Sequence, residues 1–140
     1  MSGPAARKSI PELPPFGLGY PRTELRRQLV QAVLRRDKIA TAGLAQDHAP
    51  YTDDPLPNVG DRWLMLGYDD EPVAIVETTS VRIVPAGEVD LQFAHDEGEG
   101  FESVAEWREA HERFWSEHAI TDETLILCEY FRVVERLDQR

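Results

Sequence analysis

In "TELRRQLVQAVLRR" the apolar residues Leu25, Leu29 and Val33, with Val30 and Leu34 alongside, recur at helical spacing. That spacing predicts an amphipathic helix, with Thr23 placed to cap it. Arg22, Arg26, Arg27, Arg35 and Arg36 surround the stripe. "ESVAEWREAHERFWSEH" predicts a second helix, in which Ser103 and Glu106 form a capping box. Val104, Trp107, His111, Phe114, Trp115 and His118 share one broad face of it. Between the two helices the period shortens to two. "RWLMLGY" and "EPVAIVETTSVRIVP" are β-branched runs separated by "DDE", which predicts a hairpin. "TLILCEYFRVVERL" predicts a closing strand with Leu125, Leu127, Phe131 and Val133 on one side and Cys128 and Tyr130 on the other.

The remaining segments are irregular. Residues 1–21 carry five prolines and three glycines and are expected to form an irregular arm before a single domain over 22–140. "DKIATAGLA" reads as a turn or short strand, and "HAPYTDDPLPNVGD" as loop. The sum is an α+β domain, two helices set against a mostly antiparallel, barrel-like sheet.

One strand position breaks its own pattern. With regular pairing, Glu77 falls on the more apolar face with Val73, Ile75, Val81 and Ile83. A buried carboxylate must find a cation or protonate. Either Glu77 reaches the barrel interior, where Lys38 can neutralise it, or a bulge near Thr78 turns it outward.

Composition narrows the function. The single cysteine excludes an internal disulfide, and no apolar run approaches the length needed to cross a bilayer. No apolar leader precedes the domain, so a reducing cytoplasm is the expected setting. The net charge is −11, and it is unevenly placed. Through Thr41 eight basic and three acidic residues give +5; the remainder gives −16. So acidic a chain is a poor partner for duplex DNA, whose binding rests on phosphate neutralisation. A short single strand, a nucleotide or a nucleoside near the basic N-terminal part is still compatible.

Candidate chemistry is sparse. His111 lies between Trp107 and Trp115, either as a core histidine or as a hydrogen-bonding group beside rings that stack a base. Arg108 neighbours them on the same helix. Cys128 lies mid-strand in apolar surroundings, where a thiol stays protonated. His95, Asp96, Glu97 and Glu99 are close in sequence but lack an HExxH or EF-hand spacing, so no metal and no cofactor is expected. Lys38 and Thr41, three apart after the first helix, can aim an ammonium and a hydroxyl at one point.

The succession "DKIAT", "LPNVGDRWLML" and "PVAIVETTSVRIVPAGEVDLQFAHDEGEGFESVAEWREAHERFW" resembles the ASCH family, in particular its YhfF-like bacterial branch, over about residues 23–135. The resemblance implies a PUA-like β-barrel with flanking helices and a cleft suited to RNA or modified nucleosides. It also implies a G-x-K-x-x-T loop with a downstream glutamate. Lys38 and Thr41 match the lysine and threonine, Glu97 the glutamate, and Arg36 replaces the glycine. On this basis Lys38, Thr41 and Glu97 are the expected catalytic set, with Glu97 transferring the proton. Arg35, Arg36, Glu77, Trp107, Arg108 and His111 are expected to hold substrate. Three functions follow: cleavage of short single-stranded RNA, amide hydrolysis on a nucleoside such as N4-acetylcytidine, or nucleotide binding without chemistry. Oligomeric state is not legible.

Overall fold

The structure is a computed structural model that describes residues 12–16, 18 and 23–138. Strand β1 (Pro15–Phe16) precedes helix α1 (Glu24–Leu34), followed by β2 (Ala40–Leu44), β3 (Arg62–Leu66) and β4 (Pro72–Pro85). Helices α2 (Leu91–Asp96) and α3 (Val104–Phe114) come next, and β5 (Leu125–Arg136) closes the domain. The strand order is β1-β3-β4-β5-β2. All pairs are antiparallel except β1 with β3, and the sheet curls into a half-barrel, an α+β arrangement.

The N-terminal segment is partly structural. Pro15 and Phe16 pair with Leu64 and Met65, and Phe16 and Leu18 are buried in the core beneath α1. Phe16 packs edge-on against Phe131, with ring centroids 4.9 Å apart. The other residues of the expected arm lie outside the described residues. Helix α1 stops at Leu34 because Arg36 takes a left-handed φ of 68°, a conformation that cannot continue an α-helix. Thr23 occupies the N-cap position without a side-chain cap bond.

A short helix, α2, that periodicity does not predict follows Val89. Asp90 supplies the reason: its carboxylate accepts from the backbone N–H of Phe93 at 2.8 Å and starts a helical turn. Phe93 and Ala94 from this turn pack with Trp107, Ile126 and Cys128 in a second core cluster.

Strand β4 decides the fate of Glu77. Thr78 pairs with Phe131 and Ser80 with Tyr130, which are consecutive, so Thr79 opposes no residue of β5 and forms a bulge. The alternation resets there, leaving Ile83 exposed. Glu77 accepts from Arg62 at 2.9 Å and from Arg132 at 3.4 Å across the two neighbouring strands. Its carboxyl is held below the usual range, chiefly by the Arg62 hydrogen bond. The expectation that Glu77 meets Lys38 inside the barrel is therefore corrected: it has two arginines on the sheet surface instead.

The buried carboxylate of this sheet is Glu129 on β5. Its Oε2 accepts from the Thr78 hydroxyl at 2.7 Å, and that hydroxyl accepts from the Trp63 indole N–H at 2.8 Å. Burial pushes the Glu129 pKa up, more than the Thr78 bond pulls it down.

Two predictions follow from this packing. Phe16→Ala removes a buried ring from between Trp63 and Phe131 and should lower unfolding free energy by about 3–5 kcal/mol in chemical denaturation. Glu129 takes up a proton more readily folded than unfolded, so its contribution to stability is complete below the ordinary glutamate pKa of about 4.3 and is lost as pH rises through the higher folded value. Thermal melts of Glu129→Gln against the natural chain across pH 4–8 should therefore show the variant gaining relative stability as pH rises; a difference independent of pH would contradict this.

Candidate functional site

A cavity of about 510 Å³ opens between α1, β2 and α3. Its position follows from how β2 is entered. After Arg36 the chain reverses, and the backbone N–H groups of Asp37 and Lys38 both donate to the carbonyl of Ala32. This reversal carries Lys38 inward, beneath α1, where it is 2% exposed.

The Lys38 ammonium has three protons and three close acceptors. Nζ lies 2.8 Å from the carbonyl of Ala40, 3.1 Å from the carbonyl of Glu97 and 3.0 Å from Oε2 of Glu99. Oε1 of Glu97 stands slightly further off, at 3.8 Å. The ammonium is thus saturated by hydrogen bonds and paired with carboxylates, the condition under which a buried charge is tolerated.

Gly98 makes this pairing possible. It has a φ of 67°, which turns the carboxylates of Glu97 and Glu99 towards one ammonium. A Cβ there would stand 2.3 Å from the Asp37 carbonyl oxygen and 2.6 Å from the Lys38 Cα. The two backbones are joined by Ile39, whose N–H donates to Asp96 at 2.8 Å. The glycine inside "EGEG" is the sequence signal for this close approach.

Glu97 is the inner carboxylate. It is 1% exposed, its Oε2 accepts from the Trp107 indole N–H, and His111 Nε2 lies 3.5 Å from that oxygen. His111 Nδ1 donates to the Trp107 carbonyl at 2.8 Å, and the two rings stack with centroids 4.2 Å apart. Glu99 is the outer carboxylate, with about a quarter of its side chain exposed. Thr41 lines the cavity, and its hydroxyl has no hydrogen-bond partner among the described residues.

Of the expected residues, Lys38, Thr41, Glu97 and His111 line this one cavity. The others stand elsewhere. Trp107 is wholly buried behind Glu97 and His111, so it supports the wall without facing the space. Arg108 is engaged by Glu112 and Asp122, both at 2.9 Å. Arg35 pairs with Asp37 at 3.0 Å, and Arg36 borders a smaller hollow beside Arg132 on the other side of Lys38. Glu77 is absent from the lining.

Apolar side chains form the walls. Leu25, Leu29, Phe101 and Phe114 face the cavity, and Phe114 is 60% exposed. Cys128 is buried, and burial pushes its thiol up to about 12, which leaves no thiolate for chemistry. Among the described residues no group of His, Cys, Asp and Glu is arranged to hold a metal ion, and no helix is long and apolar enough to cross a membrane.

Comparison with known proteins agrees with this geometry. A family model described as the ASCH domain matches residues 18–135, so the chain belongs to the ASCH domain family, which is generally associated with RNA binding. The fold is similar to that of a protein from Enterococcus faecalis, with 26% identity and a TM-score of 0.79 over 91% of this chain and 80% of that one. An ASCH domain from Lactobacillus crispatus is similar at 27% identity and a TM-score of 0.78, covering 88% of this chain and 80% of the other. An ASCH protein from Zymomonas mobilis shares the fold alone, at 9% identity and a TM-score of 0.50 over 78% and 66%. No curated protein matches the sequence. The half-barrel with flanking helices is the PUA-like ASCH fold.

Gly98 and Gly100 separate backbone freedom from close approach. Both have positive φ, but a Cβ on Gly100 meets nothing within 4 Å. Gly100→Ala should cost about 1 kcal/mol and Gly98→Ala clearly more, about 2–4 kcal/mol, in urea denaturation. Equal losses would show that the Lys38 loop does not need this contact.

Proposed function

We propose that the Lys38 cavity binds a single nucleoside unit, either free or at the end of an RNA strand, and hydrolyses an amide on its base. The observation that carries this reading is that the Thr41 hydroxyl, unpartnered among the described residues, shares one aromatic-walled cavity with a carboxylate pair and an ammonium. A volume of about 510 Å³ suits a small heterocycle with its sugar. Phe101 and Phe114 on one side and Leu25 and Leu29 on the other offer flat apolar walls to a base.

Charge favours a nucleoside over the interior of a strand. Lys38, Glu97 and Glu99 together contribute one positive and two negative charges, and among the described residues no arginine lines the cavity. Cleavage of the RNA backbone needs a cation free to meet the developing charge on phosphorus. All three Lys38 protons already have acceptors, which weighs against that reading.

For amide hydrolysis the same groups take different parts from those the family loop implies. Lys38, paired with two carboxylates, is an ammonium and serves to hold Glu97 and Glu99 in place. Thr41 Oγ1 attacks the amide carbonyl, and its proton passes to Glu99, the carboxylate with solvent exposure. Glu99 then gives the proton to the departing base amine. Water releases the acyl group from Thr41 with the carboxylate as base. Glu97, held by Trp107 and His111, fixes the floor.

The test is incubation with N4-acetylcytidine and with single-stranded RNA, following products by chromatography and binding by calorimetry. The natural chain should release cytidine and acetate. Thr41→Val should lose turnover by about 100-fold or more while binding changes little. Phe114→Ala should weaken binding by about tenfold through lost stacking. RNA shortening that disappears in Lys38→Ala, with no release of acetate, would replace this reading by strand cleavage.

A further inference from the structure

Thr41 and Ala42 border a second cavity on the opposite side from Lys38, with a volume of about 460 Å³. It lies between β1 and β2, the two edges of the curled sheet that do not pair with each other. Phe16, Trp63 and Leu127 wall it, and prolines from the first strand and from the loop before β3 form its rim.

At its floor is Glu129, 8% exposed. The relay from the Trp63 indole through the Thr78 hydroxyl ends on one oxygen of this carboxylate. The other oxygen has no hydrogen-bond partner among the described residues. No buried side-chain polar atom among them lacks one, so this oxygen opens into the cavity. Among the described residues no lysine or arginine lines the space; His48 and Asp54, 3.4 Å apart, are the remaining ionisable groups there.

A buried acceptor between aromatic and proline walls, with no cation, repels phosphate and suits a flat ring that carries N–H donors. Among the RNA bases, guanine alone presents two adjacent donors, N1–H and the N2 amino group, on its Watson–Crick edge. Uracil presents one N–H between two carbonyl oxygens that a carboxylate repels. Adenine and cytosine set an acceptor nitrogen beside their amino group.

We infer that this second cavity is a guanine-selective base pocket, in which Glu129 accepts from N1–H and N2–H of a base stacked beside Trp63 and Phe16. Because Thr41 and Ala42 are shared by both cavities, the guanine belongs to the nucleotide next to the one held over Lys38. That placement rests on the nucleoside reading of the Lys38 cavity; the guanine preference does not. Glu129 is a specificity residue here and takes no part in the chemistry.

Binding of guanosine, inosine, adenosine and uridine, measured by ligand-observed NMR titration, tests the pocket. Guanosine should bind about tenfold or more tightly than inosine, which lacks the N2 amino group, and than uridine. Glu129→Gln should remove that preference while its melting transition shows a folded chain. Phe114→Ala, which alters only the first cavity, should leave the preference intact. Equal affinity for guanosine and adenosine, or a guanosine preference that persists in Glu129→Gln, would overturn the inference. A Glu129-dependent guanosine preference without any binding in the Phe114 cavity would leave the pocket standing and overturn the Lys38 reading.

Discussion

One buried ammonium organises this domain. Lys38 directs its three protons to the backbone of β2, to the Glu97 carbonyl at the end of α2 and to the Glu99 side chain, so two segments about 60 residues apart are tied at one atom. Taking one partner from a buried ion pair typically costs about 3–5 kcal/mol, because the other charge is left without compensation. The cluster is therefore expensive to disturb, and its geometry is correspondingly well defined. The left-handed turn at Arg36 and the close backbone approach at Gly98 are both consequences of bringing that amine inside.

The same constraint shapes the chemistry. With its protons assigned, Lys38 is better suited to positioning carboxylates than to meeting a phosphate. In the proposed reaction the reactive groups are therefore its neighbours, the Thr41 hydroxyl and the partly exposed Glu99. The apolar residues around the opening reinforce this. Leu25 and Phe114 remain exposed in a chain rich in charge, which is costly unless a ligand with flat apolar surface covers them. The proposed ligand, a neutral nucleoside, would satisfy both the charge and the walls.

Much of the fold was legible in the sequence, because periodicity reports which face of an element is covered. Helices α1 and α3 and strands β3 to β5 form in the segments where periodicity places them. Lys38 and Thr41 stand out by their spacing, but their link to Glu97 was legible only through resemblance to a family loop, since spacing alone cannot bring residues 38 and 97 together. What escaped was set by long-range pairing. Glu77 lies directly across from Arg62 and Arg132 on the neighbouring strands, and the buried carboxylate is Glu129, which no pattern singled out. The stripe residues Leu25, Leu29 and Phe114 looked like core because a cavity wall and a core have the same helical spacing. Trp107 was read as a wall and is the support behind it.

The most direct measurement is a crystal structure of the chain soaked with a nucleoside such as N4-acetylcytidine. The account predicts its base between Phe114 and Leu29, its amide beside Thr41 and Glu99, and Lys38 still bonded to the Ala40 and Glu97 carbonyls. A nucleoside lying instead along the Arg35 and Arg36 surface, with the Lys38 cavity filled only by water, would contradict it.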